Sequence, residues 1–428
     1  MKPVTLIDAR LKSRRPVEAH AKGELVRALE RRGATVEPRT FYHHLGPSTP
    51  LLIGRLDDTW MQRALRLADL DVVPRAEGVF FGAFHNEEGH RVALAGGTDS
   101  RGLAYALLEL ADRVDDAGPT ELEQLDPAVV YPHNRVRGVT RFVVNHHDEA
   151  WMFDEAFLHR WYARLLRNRF NRVEYVLGFD TAYLSPPYPW FVDVQGFEHL
   201  RVKGLSDEQR AKNLEGLRRM GQLAHDYGLD FALAPWQQKA WTQDQASLVA
   251  GLPQDDDALI AYTERAVTAL LDACPEIDVF QLRVNLEAGV AAEDGVATNE
   301  AYWHRILDAV AASARAVELE LRAKGLTDGM IHNAQARGLA VTVPTKYWCE
   351  HFPVPYHISR LRDEELEAVD DLNHSRRYSY ADMLRKPRTF DLLYRLWNYG
   401  TTNVLEWGDP ETARRFGRPS RFGGANGF

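Results

Sequence analysis

Hydrophobic and polar positions repeat with two periods along the chain, and their succession predicts the fold. Residues 16–32 and 256–273 show the longer period of an amphipathic helix. Residues 279–285 alternate with period two, as a strand does, and one face collects Val279, Gln281, Arg283 and Asn285. From residue 135 onward such strands and helices take turns, which predicts a parallel sheet with right-handed crossovers.

The same rhythm divides the 428 residues into three segments. Residues 1–125 predict a small α/β domain, residues 126–134 a linker, and residues 135–428 a (β/α)8-type barrel. Within the barrel segment we expect one long helix over residues 300–324, another helix over 389–399, and a late strand over 402–407. The polar, glycine-rich end offers no closing helix, so we expect the barrel to be incomplete at the C-terminus and the chain to be truncated.

A glycine-rich turn, residues 96–102, precedes a predicted helix in the first segment. It has neither the G-x-G-x-x-G spacing of a dinucleotide site nor the lysine of a P-loop. We therefore interpret Thr98 or Asp99 as a helix N-cap, with glycines that allow the sharp turn.

Composition narrows the functional classes. The net charge of −9 argues against a nucleic-acid-binding surface. The two cysteines, Cys274 and Cys349, make neither a disulfide framework nor a zinc pattern, and we predict no cofactor and no metal. No leader or membrane-spanning stretch is visible, so we expect a cytoplasmic protein, or a secreted one if a leader is missing. Oligomeric state is left open.

Glu287 is the predicted general acid. It follows the strand that carries Arg283 and Asn285, and catalytic groups of parallel barrels lie where strands end. We expect a partly apolar setting that favours the protonated carboxyl, with Arg283 and Asn285 orienting it or the substrate. A structural, salt-bridged glutamate is the alternative.

Polar and aromatic side chains also recur where the other predicted strands end, as a carbohydrate cleft requires. The predicted substrate-binding residues are Arg141, Asn145, His146, Asp180, Trp236, Arg283, Asn285, Lys346, Trp348 and Trp407. The pair His146-His147 beside Asp148 could instead bind a metal, or the run could cap the following helix.

Glycoside hydrolysis requires a second carboxyl group, and Glu406 is the first choice because it ends the late strand beside Trp407. Asp409, Glu350 and Asp180 follow in that order. Three cations at strand ends, Arg141, Arg283 and Lys346, are suited to the carboxylate of an acidic sugar.

Two stretches resemble known glycosidases. Val92–Asp112 resembles the non-catalytic N-terminal domain that precedes the barrel in alpha-glucuronidases and beta-N-acetylhexosaminidases. That resemblance implies a zincin-like accessory domain without a metal site, and no H-E-x-x-H is present. Residues 285–289 are similar to the segment that supplies the proton donor in alpha-glucuronidases. Hexosaminidases carry an adjacent Asp-Glu pair, whereas Leu286 precedes Glu287 here, which argues against substrate assistance.

These observations predict a glycoside hydrolase that cleaves poly- or oligosaccharides, uronic-acid-containing ones among them, by a two-carboxylate mechanism. A non-catalytic carbohydrate-binding protein on a degenerate barrel is the first alternative. A lyase or a metal-dependent sugar isomerase on the same scaffold is another, because fold does not fix chemistry. The expected partner is a carbohydrate substrate, without nucleic acid or membrane.

Overall fold

Two large sheets organise the chain in the computed structural model, a mixed one of six strands and a parallel one of seven. The first unit comprises Met1–His133, Arg160–Arg169 and His225–Leu229, and the second comprises the remainder. The structure describes residues 3–9, 15–41, 45–179, 181–240, 248–290, 299–323, 325–346, 388–395, 410–411, 414 and 425–428. Among these residues no helix has the length and apolar character needed to cross a membrane.

The first unit is a six-stranded sheet in the order β2-β1-β3-β5-β4-β6. Its elements are β1 (Val4–Asp8), α1 (Pro16–Arg31), β2 (Val36–Arg39), β3 (Thr49–Arg55), α2 (Thr59–Leu67), β4 (Val79–His85), β5 (Arg91–Gly97), α3 (Ser100–Ala117) and β6 (Ala128–Val130). Strand alternation sends Leu6 into the core under α1 and α3, and Ile7 into the core under α2. Both faces of this sheet are therefore covered, as parallel strands require.

The glycine-rich turn of the first unit is a helix cap, as predicted. The Asp99 side chain accepts hydrogen bonds of 2.8 Å from the backbone N–H groups of Gly102 and Glu77. A Cβ at Gly97 would lie 1.8 Å from the Leu103 nitrogen, so only glycine fits at this strand-to-helix junction.

The second unit repeats strand and helix around a curled sheet. Its elements are β7 (Gly138–Val143), α4 (Glu149–Met152), α5 (Glu155–Arg167), β8 (Arg172–Leu177), β9 (Arg201–Val202), α6 (Asp207–Asp226), β10 (Asp230–Pro235), β11 (Val249–Ala250), α7 (Asp256–Ala273), β12 (Val279–Leu282), α8 (Glu300–Ala311), β13 (Glu318–Leu321), α9 (Asp328–Ala336), β14 (Val341–Lys346) and β15 (Asp391–Arg395). Parts of α5 and α6 belong to the first unit.

Seven of these strands form one parallel sheet in the order β15-β14-β13-β12-β10-β8-β7, and β9 pairs with β11 outside it. Gly427 makes isolated parallel bridges to Val136, just before β7, and to Leu393 of β15. In the described part of the chain the eighth strand position thus holds only these bridges, which agrees with the predicted incomplete (β/α) barrel.

Two predicted helices of the barrel segment are wrong. The helix that begins at Glu300 ends at Ala311, and residues 318–321 form β13 instead. Residues 391–395 form β15 rather than a helix. The β13 sequence, Glu-Leu-Glu-Leu, consists of strong helix formers, and pairing with β12 and β14 overrides that local preference. The late strand predicted at 402–407 lies outside the described residues.

A buried polar cluster fills the sheet's concave face. The Gln281 amide nitrogen donates to Glu174 Oε2 and Glu320 Oε2, both at 2.6 Å. Arg395 donates to the same two oxygens at 2.6 and 3.1 Å. Arg172 donates to Glu320 Oε1 at 2.6 Å. Each buried charge therefore has an opposite charge and hydrogen bonds, without which its burial would be costly.

Candidate active site

The segment after β12 is fixed in place by the loop after β10. The carbonyl of Ala288 accepts hydrogen bonds from the backbone N–H groups of Gln238, at 2.7 Å, and Lys239, at 3.1 Å. Gly289 has φ +86°, and a Cβ there would lie 2.2 Å from the Lys239 carbonyl oxygen. Glycine is required for both reasons, and the turn holds Glu287 at the C-terminal end of β12.

Glu287 accepts hydrogen bonds from the two residues that the strand pattern predicted to lie beside it. Its Oε2 accepts hydrogen bonds from the Arg283 guanidinium at 2.5 Å and from the Asn285 amide at 2.8 Å. The Arg283 side chain is 6% exposed and that of Glu287 is 23% exposed. A cationic donor and a neutral donor on one oxygen stabilise the ionised carboxylate. A partly apolar setting was expected for Glu287, and the contacts to this oxygen are polar.

Asn285 also offers an acceptor beside the carboxylate. The residue is 4% exposed, and among the described residues no donor lies within hydrogen-bond distance of its Oδ1. The amide nitrogen of Asn285 already donates to Glu287. The side-chain oxygen is therefore the atom that can accept a hydrogen bond from a ligand. Such an acceptor is suited to a sugar hydroxyl.

Trp236 supports this site from within the barrel and is not positioned to stack on a sugar. The residue is 2% exposed. Its indole N–H donates to Gln281 Oε1 at 2.7 Å, and its ring contacts Phe142. Because the indole nitrogen can only donate, this bond also fixes which end of the Gln281 amide faces the Glu174–Glu320 pair. The predicted sugar-stacking role of Trp236 does not fit this burial.

Arg322, which the sequence did not single out, lies against the same ring. Its guanidinium carbon is 4.1 Å from the Trp236 ring centroid, and that of Arg283 is 5.4 Å away. Arg322 follows β13, within the stretch expected to be helical, so its strand neighbours could not be read from the sequence. The alternation Glu318, Glu320, Arg322 was the available signal, since it matches a strand with one polar face.

The carboxyl groups of Glu174 and Glu320 differ in the direction of their pKa shifts. Burial raises the pKa of Glu174, and the neighbouring Glu320 charge acts in the same direction. Burial also acts to raise the pKa of Glu320, but the charges of Arg395 and Arg172 outweigh it and lower that pKa. The pair therefore favours one protonated and one ionised carboxyl more than two separate glutamates would.

Arg141 lies on the opposite face of the sheet, which corrects its predicted role in binding. On β7 it precedes Phe142, whose ring contacts Trp236 inside the barrel, so alternation turns Arg141 outward. Its guanidinium carbon is 4.1 Å from the Trp151 ring centroid and 5.0 Å from that of Phe157 on α5. The structure thus does not bring Arg141 together with Arg283 and Glu287.

The run after β7 caps a short helix, which was the structural alternative for it. Asn145 Oδ1 accepts from the His147 N–H at 2.8 Å, and Asp148 Oδ2 accepts from the Asn145 N–H at 3.1 Å. His146 is exposed, and its ring centroid lies 4.4 Å from that of Tyr183. The side-chain oxygen of Asn145 therefore serves the backbone, while His146 lies at the surface of the loop.

The remaining predicted residues have no described side chains. Lys346 ends β14 in register with Arg395, and only its backbone is described. The others lie outside the described residues: Asp180, Trp348, Glu350, Glu406, Trp407 and Asp409. Within the described part of the chain, no cluster of three or more His, Cys, Asp or Glu side chains could hold a metal ion.

Comparison with solved structures finds proteins of similar fold. A GH138 enzyme targeting pectin rhamnogalacturonan II matches with a TM-score of 0.67 and 13% identity, over 99% of this chain and 46% of the other. A structure named CpGH84D matches with a TM-score of 0.46 and 10% identity, over 98% of this chain and 55% of the other. The first likeness confirms the predicted fold class.

This chain thus spans about half the length of these two structures, 46% and 55%. No family model matches the chain, and no curated protein matches it.

Proposed function

We propose that the chain is a glycoside hydrolase domain that cleaves poly- or oligosaccharides by a two-carboxylate mechanism. The observation that carries the proposal is the arrangement of Arg283, Asn285 and Glu287 at the C-terminal end of β12. A partly exposed carboxylate held by two buried donors at that end of a barrel strand is the geometry of a positioned catalytic group. The fold shared with a GH138 enzyme supports the same reaction class.

Within this mechanism Glu287 is one of the two carboxyl groups, and Glu406 is the proposed second. The sequence predicted Glu287 as proton donor. The hydrogen bonds from Arg283 and Asn285 to Oε2 favour its ionised form, which is the form that acts as base or nucleophile. We therefore assign Glu287 to the base or nucleophile role and the proton donor to the second carboxyl.

Acidic polysaccharides are the proposed substrate class, with pectic fragments first. The described C-terminal strand ends bring two guanidinium groups, Arg283 and Arg322, close to one tryptophan ring. Guanidinium groups pair bidentately with carboxylates, which uronic acids carry. The GH138 enzyme of like fold targets a pectin, which makes pectic oligosaccharides the first panel to test.

The test is release of new reducing ends from pectic oligosaccharides by the whole chain. We expect Glu287→Gln to lower turnover by a factor on the order of 10² to 10⁴. The matched control is Glu155→Gln, which alters an exposed glutamate paired with Arg219 at 3.1 Å and should keep the wild-type rate. Binding of oligosaccharides without any hydrolysis would favour the alternative of a carbohydrate-binding protein and overturn the proposal.

The role of Glu287 is tested with a nitrophenyl glycoside of the sugar that is cleaved. If Glu287 is the base or nucleophile, Glu287→Gln loses activity even with this good leaving group, and azide restores turnover. If the mutant instead keeps most activity on the nitrophenyl substrate, Glu287 is the proton donor and our assignment is reversed.

A further inference from the structure

A groove of about 920 Å³ lies at the N-terminal ends of β13, β14 and β15 in the barrel unit. Its walls are the loop after α8, the turn after α9 and residues 388–391, and we call it the basal groove. Because the strands of this sheet are parallel and Glu287 follows the C-terminal end of β12, Glu287 and the basal groove lie at opposite ends of the strands. Ligand sites in proteins have volumes of about 300–1,000 Å³, so the groove has the size of a ligand site.

The basal groove concentrates positive charge on a chain whose net charge is −9. The charged residues that line it, within the described part of the chain, are four arginines and two acids: Arg135, Arg315, Arg337, Arg388, Glu318 and Asp391. Two described partners outside the groove cancel each other in charge, since Arg172 pairs with Glu318 and Asp308 pairs with Arg337. Four guanidinium groups against two carboxylates leave an excess of two positive charges in the lining, which favours an anionic ligand.

Arg315 gives the groove an anchored cation. Its Nη2 donates to the Ile277 carbonyl, just before β12. No acceptor among the described residues lies within hydrogen-bond distance of its Nε, and no described carboxylate pairs with it. A guanidinium carries five N–H donors, so an anchored one without a carboxylate partner is suited to bind the carboxylate of a ligand.

The other arginines reach the groove from separate elements. Arg135 precedes β7 and donates to Asp391 at 2.6 Å, and Arg337 follows α9 and donates to the Asn333 carbonyl at 2.9 Å. Cations spread over several elements match a ligand that carries carboxylates on successive units better than they match one small anion such as phosphate.

We propose that the basal groove is a second carbohydrate site, which binds acidic oligosaccharides through the carboxylates of their uronic acids. The class of ligand rests on the proposed function, whereas the site itself rests on the charges that line the groove. A polymer attached there stays near the chain after each cleavage, because a second attachment raises its effective concentration at the first.

The test is calorimetric titration of oligogalacturonate into the Glu287→Gln chain, which keeps the groove and slows cleavage of the ligand. We expect two bound oligosaccharides per chain. Arg315→Gln, added to this variant, should weaken one of the two sites by about 10-fold or more, the worth of a hydrogen bond to a charged group. The methyl ester, which has the same sugar units without the charge, should not occupy that site.

Two surface variants keep the test valid if Arg315→Gln fails to fold. Arg135 and Asp391 form a pair whose side chains are 54% and 45% exposed. Arg135→Gln should weaken the same site by about 2- to 5-fold, and Asp391→Asn, which removes one of the two carboxylates of the lining, should tighten it by a similar factor.

The control is Arg305→Gln, on α8 and outside the lining, where Arg305 is exposed and pairs with Glu264 at 2.7 Å. It changes the net charge by the same amount and should leave the affinity unchanged. An equal loss of affinity in Arg305→Gln and Arg315→Gln would overturn the inference, and so would a single bound oligosaccharide that Arg315→Gln does not affect. Binding of inorganic phosphate at the groove in place of the oligosaccharide would also overturn it. A single site that depends on Arg315, in a wild-type chain that hydrolyses no glycoside, would support this inference and overturn the proposed function.

Discussion

Two arginine–tryptophan pairs in the barrel unit have the same separation between guanidinium and ring, and they lie on opposite faces of the sheet. Arg322 lies over Trp236 and Arg141 lies over Trp151, each with 4.1 Å between guanidinium carbon and ring centroid. The Trp236 pair is inside the barrel, tied to the Glu174–Glu320 cluster through Gln281. The Trp151 pair is outside, where the indole N–H donates to Asp148 at 2.9 Å.

The face of the strand, and not the type of contact, decides what such a pair can do. The inner pair is hydrogen-bonded to Gln281 through Trp236 and lies next to Arg283, which donates to Glu287. The outer pair joins a strand to its covering helix through Phe157. We therefore expect changes at the inner pair to alter ligand recognition and changes at the outer pair to alter stability alone.

The largest expected effect on stability comes from removing a charge inside the barrel. Arg172 is 2% exposed and donates to Glu320 and Glu318 at 2.6 and 2.9 Å. Arg172→Met should lower the free energy of unfolding by about 3–5 kcal/mol, because it removes the charged donor from Oε1 of the buried Glu320. Urea unfolding measures this. The outer comparison is Arg219→Met, an exposed partner of Glu155, which should cost about 1 kcal/mol or less; equal losses would contradict the distinction.

The two tryptophans allow a matched substitution. Trp236→Phe leaves the buried oxygen of Gln281 without its donor and should cost about 1–3 kcal/mol of unfolding free energy. Trp151→Phe removes a partly buried bond to Asp148 and should cost about 0.5–1.5 kcal/mol. Thermal unfolding of both variants gives the comparison. A larger loss of unfolding free energy in Trp151→Phe than in Trp236→Phe would contradict this comparison.

The inner carboxyl pair should show opposite dependences of stability on pH. The pKa of Glu174 is raised above 4.5 by burial, so the stability it contributes is full below pH 4.5 and is lost as pH rises. The pKa of Glu320 is lowered despite burial, mainly by Arg395 and Arg172, so its contribution is present above pH 4.5 and is lost as pH falls.

Substitution by glutamine reveals these contributions. We expect Glu174→Gln to destabilise more at about pH 4 than at about pH 7, and Glu320→Gln to do the reverse. Urea unfolding of both variants and the wild type at the two pH values measures it. Identical pH dependence in the two variants would contradict the assignment of the pKa directions.

The smallest effect is expected outside the barrel. Arg141→Gln removes the contacts with Trp151 and Phe157 and should cost about 0.5–1 kcal/mol of unfolding free energy, the worth of a partly exposed cation–π contact. Thermal unfolding measures the loss. A drop in ligand affinity at unchanged stability would return Arg141 to the binding site.

The sequence predicted those features of the structure that depend on residues close together in the chain. Alternation along β12 placed Arg283 and Asn285 on one face and Glu287 just beyond, and the structure brings these three side chains together. The cap at Asp99 was likewise predicted from its neighbours. The succession of strands and helices predicted the fold class, since right-handed crossovers leave few alternatives.

The sequence did not predict features that depend on contacts between residues far apart in the chain. The helix-forming sequence of β13 hid a strand, and with it Arg322, because the pairing partners of that strand are far along the chain. Trp236 follows a strand, as predicted, but its burial depends on Gln281, Phe142 and Arg322. Arg141 has the residue type expected of a ligand contact, and only the observed strand parity reveals its outward orientation.

The catalytic role of Glu287 is tested by the rate of reducing-end release from pectic oligosaccharides by three proteins side by side: wild type, Glu287→Gln and Arg141→Gln. We expect hydrolysis by the wild type, a loss on the order of 10²- to 10⁴-fold in Glu287→Gln, and a wild-type rate in folded Arg141→Gln. Equal rates in wild type and Glu287→Gln would contradict a catalytic site at the end of β12, and so would an equal loss in both variants.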